Sequence, residues 1–129
     1  MTEQNAAAIA EGFWARLGAG DWDGARAVLH DEYVQEWPQS GERIEGPDDA
    51  IAVNRNFPGG LPSMRVRRTS ASGHIVVLEV ELEYADGSLY QGVSIMEIRG
   101  GKVLAETDYF AQAFDAPQWR AQWVRRMHR

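Results

Sequence analysis

Residues 75–84 (IVVLEVELEY) alternate without a break: Val76, Leu78, Val80, Leu82 and Tyr84 share one parity, and Ile75, Val77, Glu79, Glu81 and Glu83 the other. Residues 89–98 do the same, with Leu89, Val93 and Ile95 on one side and Tyr90, Met96 and Ile98 on the opposite side. A two-residue period marks strands, and Asp86-Gly87 between the runs predicts a hairpin turn. Both parities carry apolar residues, so each face of the sheet must meet something. Helices are expected to cover one face. A second copy of the chain is expected on the other, giving a homodimer through the outer sheet face.

Turn signals at Ser72-Gly73 and Gly100-Gly101 extend the pattern to four strands between about Met64 and Gln112. Upstream the period changes. Ile9, Phe13 and Leu17, with Ala10 and Trp14 beside them, predict a helix over 3–19 that stops at Gly18 and Gly20. Asp21 caps a second helix over 22–30, turning Trp22, Ala25, Val28 and Leu29 inward. A short strand from Tyr33 to Trp37 ends at Pro38, and the polar stretch to Gly46 reads as a surface loop. Pro47 opens a third helix, to about residue 57, with Asp48 and Asp49 at its positive end. A last helix is expected over 116–127, stacking Trp119, Trp123 and Met127 and ending in Arg125, Arg126 and Arg129. This order predicts an α+β fold with a mainly antiparallel sheet, in one domain spanning 1–129.

Composition removes several chemistries. Nineteen acidic and 13 basic residues leave a net charge of −6, which weighs against nucleic acid as a partner. There is no cysteine, hence no disulfide, thiolate nucleophile or Cys-ligated metal. Lys102 is the single lysine, the one residue able to form a Schiff base. His30 at a helix end, His74 in a hairpin turn and His128 in the tail do not form a two-histidine metal motif, so neither a metal nor a cofactor is expected. No apolar run reaches the ~20 residues of a membrane span and the start is not a signal peptide; a cytoplasmic protein is expected.

The remaining chemistry is acid–base. Asp108 shares a strand parity with Leu104, Glu106 and Phe110. A carboxylate set among apolar neighbours in a cleft has a raised pKa and suits a general base; at a wet sheet end, or paired with one of the 12 arginines, it would be structural. Tyr33, Gln35 and Trp37 alternate along the first strand, able to line a pocket or to pack in the core. Glu36 then faces away and is held as a reserve acid. Asn54 stands one helical turn before Phe57, either facing a ligand or satisfying backbone groups. Glu42 and Arg43 in the loop form a lid or a solvated ion pair.

The element order, with the phrases GAGDWDGARAVLHDEYVQEWP and GGKVLAETDYFA, resembles the nuclear transport factor 2-like superfamily, and within it the SnoaL-like group that includes polyketide cyclases. The resemblance covers nearly the whole chain. It implies a cone-shaped, cystatin-like fold, a bent sheet wrapped on helices around a pocket, commonly as a dimer. It does not fix a reaction, because this fold hosts isomerases, dehydratases, hydrolases, cyclases and binders. Aligned without gaps on Gly20-Asp21, the tyrosine and the aspartate base of ketosteroid isomerases fall on Phe13 and Trp37, so that dyad is missing. The water-holding tyrosine and asparagine of limonene epoxide hydrolases fall on Gln35 and Trp37, or one residue off to bring in Glu36, and their last-strand aspartate falls on Asp108. Their arginine has no counterpart in Val77–Glu83. SnoaL-type cyclases use a carboxylate on this wall as proton acceptor, which again implies Asp108 as catalytic.

The expected function is cofactor-free cyclisation, isomerisation or dehydration of a small apolar carbonyl compound, with a non-catalytic ligand binder of the same fold as the alternative. The expected pocket is Asp108 surrounded by Phe13, Tyr33, Gln35, Trp37, Asn54, Phe57, Tyr90, Glu106 and Phe110.

Overall fold

The computed structural model describes residues 2–127. Helix α1 spans Glu3–Gly18, its first turn capped by the Thr2 hydroxyl, which accepts from the Asn5 amide at 3.2 Å. Ala6, Ala10, Phe13, Trp14 and Leu17 form its buried stripe, the i, i+4, i+7 spacing of a helix packed on one side. Helix α2 (Trp22–Ala27) is capped by Asp21, whose carboxylate accepts from the Gly24 amide at 3.0 Å. It ends before the predicted residue 30 because Leu29 already opens strand β1 (Leu29–Trp37). The polar stretch after Pro38 is not all loop: Glu42–Glu45 forms β2, which pairs antiparallel with β1. Helix α3 (Pro47–Arg55) starts on proline as expected.

Strands β3 (Ser63–Ser72), β4 (Ile75–Glu83), β5 (Leu89–Arg99) and β6 (Lys102–Gln112) follow as antiparallel neighbours. The sheet order is β2-β1-β6-β5-β4-β3, and β1 lies parallel to β6. The sheet is open and mainly antiparallel. Register shifts between Val66 and Arg68 and between Glu97 and Ile98 bend its strands locally. The second shift changes which residues of β6 point inward: Val103 is fully buried and Leu104 is not, so Leu104 does not share the face of Glu106 and Asp108 that simple alternation assigned to it.

The core lies between the helices and one face of the sheet. Val76, Leu78, Val80 and Leu82 of β4 and Met96 and Ile98 of β5 meet α1, whose alanines at 6 and 10 let the helix axis approach closely. The opposite face carries Ile75, Ile95 and Tyr109, all solvent-exposed, among the ion pairs Arg65–Glu81 and Arg68–Glu79.

The C-terminal segment departs from expectation. In place of a helix over 116–127 there is a six-residue 3₁₀ helix, Gln118–Trp123, and Trp119 and Trp123 are 74% and 70% exposed. Helices gain most of their stability from burying an apolar face, and within this chain the tryptophans find no surface to bury against. Arg125 and Arg126 lie beyond the helix end, so they do not cap it; Arg129 and His128 fall outside the described residues. Among the described residues no helix is long and apolar enough to cross a membrane.

Candidate functional site

Parallel pairing of β1 with β6 sets Gln35 beside Glu106, and antiparallel pairing of β5 with β6 sets Ser94 opposite Asp108. Inward parity on these three strands therefore gathers five polar side chains in an apolar interior. Gln35 Nε2 donates to Asp108 Oδ2 at 2.7 Å. The Tyr33 hydroxyl lies 3.0 Å from Gln35 Oε1 and 3.0 Å from Glu106 Oε1. Ser94 Oγ donates to Glu106 Oε2 at 3.3 Å. Gln35, Glu106 and Asp108 are 7%, 3% and 2% exposed. At that depth their protonation is governed by the protein rather than by water.

Burial is the main force on each titratable member. It pushes the Glu106 carboxyl well above the ordinary range, and the adjacent Asp108 charge and carboxyl contact push it further. Burial also raises Asp108, but its polar neighbours Glu106, Ser94, Gln35 and Trp37 pull it back; of these, Gln35 stands within hydrogen-bond geometry, on Oδ2. Tyr33 is raised by burial and then by the charges of Glu106 and Asp108. The environments thus separate two carboxyls that sit side by side, the arrangement that gives one acid and one base near neutrality.

Asp108 and Glu106 border a cavity of about 130 Å³ between sheet and helices. Its walls are mostly apolar: Phe13, Trp14 and Leu17 from α1, Trp37 from β1, Leu82 from β4 and Phe110 from β6. No Arg, Lys or His is among the described residues lining it. Two buried polar atoms at this wall have no hydrogen-bond partner, the acceptor Asp108 Oδ1 and the donor Trp14 Nε1. An unpartnered buried polar group costs about 1–3 kcal/mol, so such atoms in a cavity wall mark where a ligand's polar atoms would be matched.

Of the residues expected around Asp108, the cavity brings together Phe13, Gln35, Trp37, Asn54, Phe57, Glu106 and Phe110. Trp37, not Glu36, faces inward, and Glu36 instead receives Arg43 at 2.7 Å. Arg43 is therefore tied down on β2 rather than free to act as a lid. Asn54 borders the cavity, but its amide donates to the Ala50 carbonyl of its own helix at 2.8 Å. Two expectations are corrected. Tyr33 is absent from the wall because it stands behind Gln35 as its hydrogen-bond partner, and Tyr90 is screened from the cavity by Tyr84, whose ring it meets edge-on at 5.1 Å. His30 lies on β1, where Nδ1 accepts from the Glu32 amide. Sequence reading did not name Trp14, Tyr84 or Ser94 as site residues. The signal was there for Ser94, a small hydroxyl residue on the inward parity of β5 between Gly92 and Met96.

The neighbours of this architecture agree with it. A protein of unknown function from Burkholderia xenovorans LB400, described as nuclear transport factor 2-like, is 36% identical over 98% of both chains, with a TM-score of 0.86. A ketosteroid isomerase-like protein from Kribbella flavida DSM 17836 is 28% identical, covering 98% of this chain and 93% of that one, with a TM-score of 0.88. An LEH-like epoxide hydrolase of M. tuberculosis shares the fold at 24% identity over 84% of each chain, with a TM-score of 0.73. No curated protein matches the sequence. The SnoaL-like domain matches residues 10–106, which hold all of α2, α3 and β1 to β5 and the part of β6 up to Glu106. With three quarters of its length matched, this chain belongs to the SnoaL-like domain family of the nuclear transport factor 2-like fold.

Proposed function

We propose that this protein carries out cofactor-free acid–base chemistry on a small, mostly apolar carbonyl compound, with Asp108 as the proton acceptor. The observation that carries this reading is the unpartnered Asp108 Oδ1 in an apolar cavity wall. An enolisable carbonyl compound answers both free atoms. Its oxygen accepts from Trp14 Nε1 while its α-carbon proton meets Asp108 Oδ1. Proton abstraction breaks the C–H bond, moves the pair into an enolate, and leaves the proton on Asp108. Return of that proton to another carbon isomerises the substrate; attack of the enolate carbon on a second carbonyl closes a ring, the new alkoxide taking the proton back from Asp108; and a β-hydroxyl that leaves with the Asp108 proton as water dehydrates it. Similarity to the Kribbella flavida isomerase-like protein supports the same class.

Cavity size narrows the ligand. A cavity of about 150 Å³ takes up benzene, and this one is about 130 Å³. A single-ring or short-chain compound fits it as it stands; a fused polycycle requires it to open.

One observation favours a non-catalytic binder. Among the described residues the cavity wall has no cation, and its one fully buried donor without a partner is the Trp14 indole. A lone N–H stabilises a developing oxyanion less than the paired donors of oxyanion holes. Exchange of α-protons into D₂O, followed by NMR with small cyclic ketones and 1,3-dicarbonyls, separates the two readings. A base at position 108 gives exchange that falls at least ~10²-fold in Asp108→Asn. Saturable binding with no exchange above background assigns the protein to the binders.

A further inference from the structure

Four side chains stand in a row joined by three short contacts: Glu106 Oε1 to Tyr33 Oη at 3.0 Å, Tyr33 Oη to Gln35 Oε1 at 3.0 Å, and Gln35 Nε2 to Asp108 Oδ2 at 2.7 Å. Each contact needs one hydrogen between its heavy atoms. The Tyr33 hydroxyl owns one. The Gln35 amide serves one contact with its nitrogen and the other with its oxygen, so it contributes one more. Three contacts with two resident hydrogens require a third from a carboxyl. If both carboxyls were ionised, two lone pairs would face each other in a dry interior, the arrangement burial penalises most.

The direction follows from the ends of the row. With Gln35 Nε2 on Asp108, Gln35 Oε1 takes the Tyr33 hydrogen, and Tyr33 Oη must then accept from Glu106. Turning the amide over reverses every bond and puts the proton on Asp108 instead. The orientation of the amide decides between them. Both carboxyls border the cavity, but Gln35 Nε2 stands on Asp108 Oδ2 at 2.7 Å, which leaves the proton on Glu106, and burial acts on Glu106 in the same sense.

We propose that Glu106 is a positioning residue, which retains its proton at neutral pH and, through Tyr33 and Gln35, fixes Asp108 as the ionised member of the pair with Oδ1 unengaged. The inference rests on the proposed function only for what that anion is used for. Gln35 cannot pass a proton onward without becoming an imidic acid, so the row sets positions and charges and does not shuttle protons. Few other groups can compete for the charge. Tyr33 from β1 is the titratable group in contact with the pair and Tyr84 from β4 lines the same cavity; Ser94 from β5 and Trp37 from β1 are further polar neighbours, and among the described residues α1 and α3 line the cavity with no charged side chain.

Carboxyl-resolved ¹³C NMR of the whole protein across pH, in wild type, Glu106→Gln and Asp108→Asn, tests this without any substrate. In wild type, Asp108 is expected to ionise below neutrality while the Glu106 carboxyl keeps the shift of a protonated acid beyond pH 7. In Glu106→Gln the new amide supplies the third hydrogen that the neutral Glu106 carboxyl supplies in wild type, so Asp108 ionises at nearly the same pH as in wild type. In Asp108→Asn the asparagine amide supplies it from the other end, Gln35 turns over, and Glu106 ionises at lower pH than in wild type. A residue that merely fills space predicts no shift of Glu106 in Asp108→Asn, and a Glu106 already ionised in wild type predicts that Asp108 ionises at lower pH in Glu106→Gln. Ionisation of Glu106 within the ordinary carboxylate range in wild type, or Asp108 holding its proton while Glu106 ionises, overturns the proposal; the wild-type titration decides even if one variant does not fold. The expected titrations with no α-proton exchange would remove the proposed function and leave this inference standing. Exchange without those titrations would do the reverse.

Discussion

The ring of Phe110 fills the space above the α-carbon of Gly92: a Cβ at position 92 would stand 2.5 Å from one ring carbon and 3.1 Å from Val80 Cγ2. Gly92 and Phe110 are register partners on β5 and β6, and Phe110 is two residues beyond Asp108 in the cavity wall. The glycine is therefore required for side-chain space rather than for backbone conformation, and it sets where the cavity wall stands. Gly92→Ala is expected to displace the ring, costing about 1–3 kcal/mol as overpacking does, and to weaken ligand uptake. In a Phe110→Ala background the same substitution should cost little, and urea denaturation of the four chains measures the coupling. Additive costs would show that the ring does not occupy that space.

The pH dependence of stability has a definite sign. The folded-state pKa of Glu106 lies above its unfolded value, so the folded protein binds this proton more tightly. Its stabilising contribution is complete below the unfolded pKa and is lost as pH rises towards the folded one. Asp108, also raised, acts in the same direction. Between about pH 5 and neutrality the wild type should therefore lose Tm relative to Glu106→Gln, whose amide does not ionise. Parallel Tm profiles for the two proteins would contradict a raised Glu106.

Tyr33→Phe keeps the ring and deletes the one atom that touches both Gln35 and Glu106. Both partners stay buried, and leaving them short of a bond should cost about 1–3 kcal/mol. The phenylalanine ring itself is tolerated, since Tyr33 sits among core residues. A loss under about 0.5 kcal/mol, the size of an ordinary surface substitution, would mean that the row is not held together at Tyr33.

The outer sheet face leaves Ile75, Ile95 and Tyr109 exposed, and the segment after it leaves Trp119 and Trp123 exposed. Exposed apolar side chains grouped on one face and rimmed by charged residues mark a surface for association. Pairing with a second copy through this face covers the same residues on both partners. Light scattering at micromolar concentration is expected to give a dimer, and Ile95→Arg, near the centre of that face, to shift it towards the monomer. A wild-type monomer across that range would leave the face without this role.

Local signals in the sequence carried a large part of this structure. The alternation in 75–84 and 89–98 became β4 and β5, the stripe of Phe13 and Leu17 became the buried face of α1, and Asp21 and Pro47 opened α2 and α3. These succeed because caps, turns and periodicity act within a few residues. The same reading failed where stability depends on distant surfaces: the stacked Trp119, Trp123 and Met127 predicted a long helix, but these side chains stay exposed and one short 3₁₀ helix forms.

The site divides along the same line. Sequence alone put Asp108 and Glu106 on one side of a strand and Tyr33, Gln35 and Trp37 on one side of another. It could not tell which of these would touch, because contacts such as Gln35 to Asp108 join residues 73 apart in the chain. Only the parallel pairing of β1 with β6 brings Gln35 level with Glu106, and only the shift near Ile98 separates Leu104 from the polar row. Strand parity is a local property of the backbone, whereas register and desolvation arise when the sheet closes over the helices; the charges on Glu106 and Asp108 are set at that point.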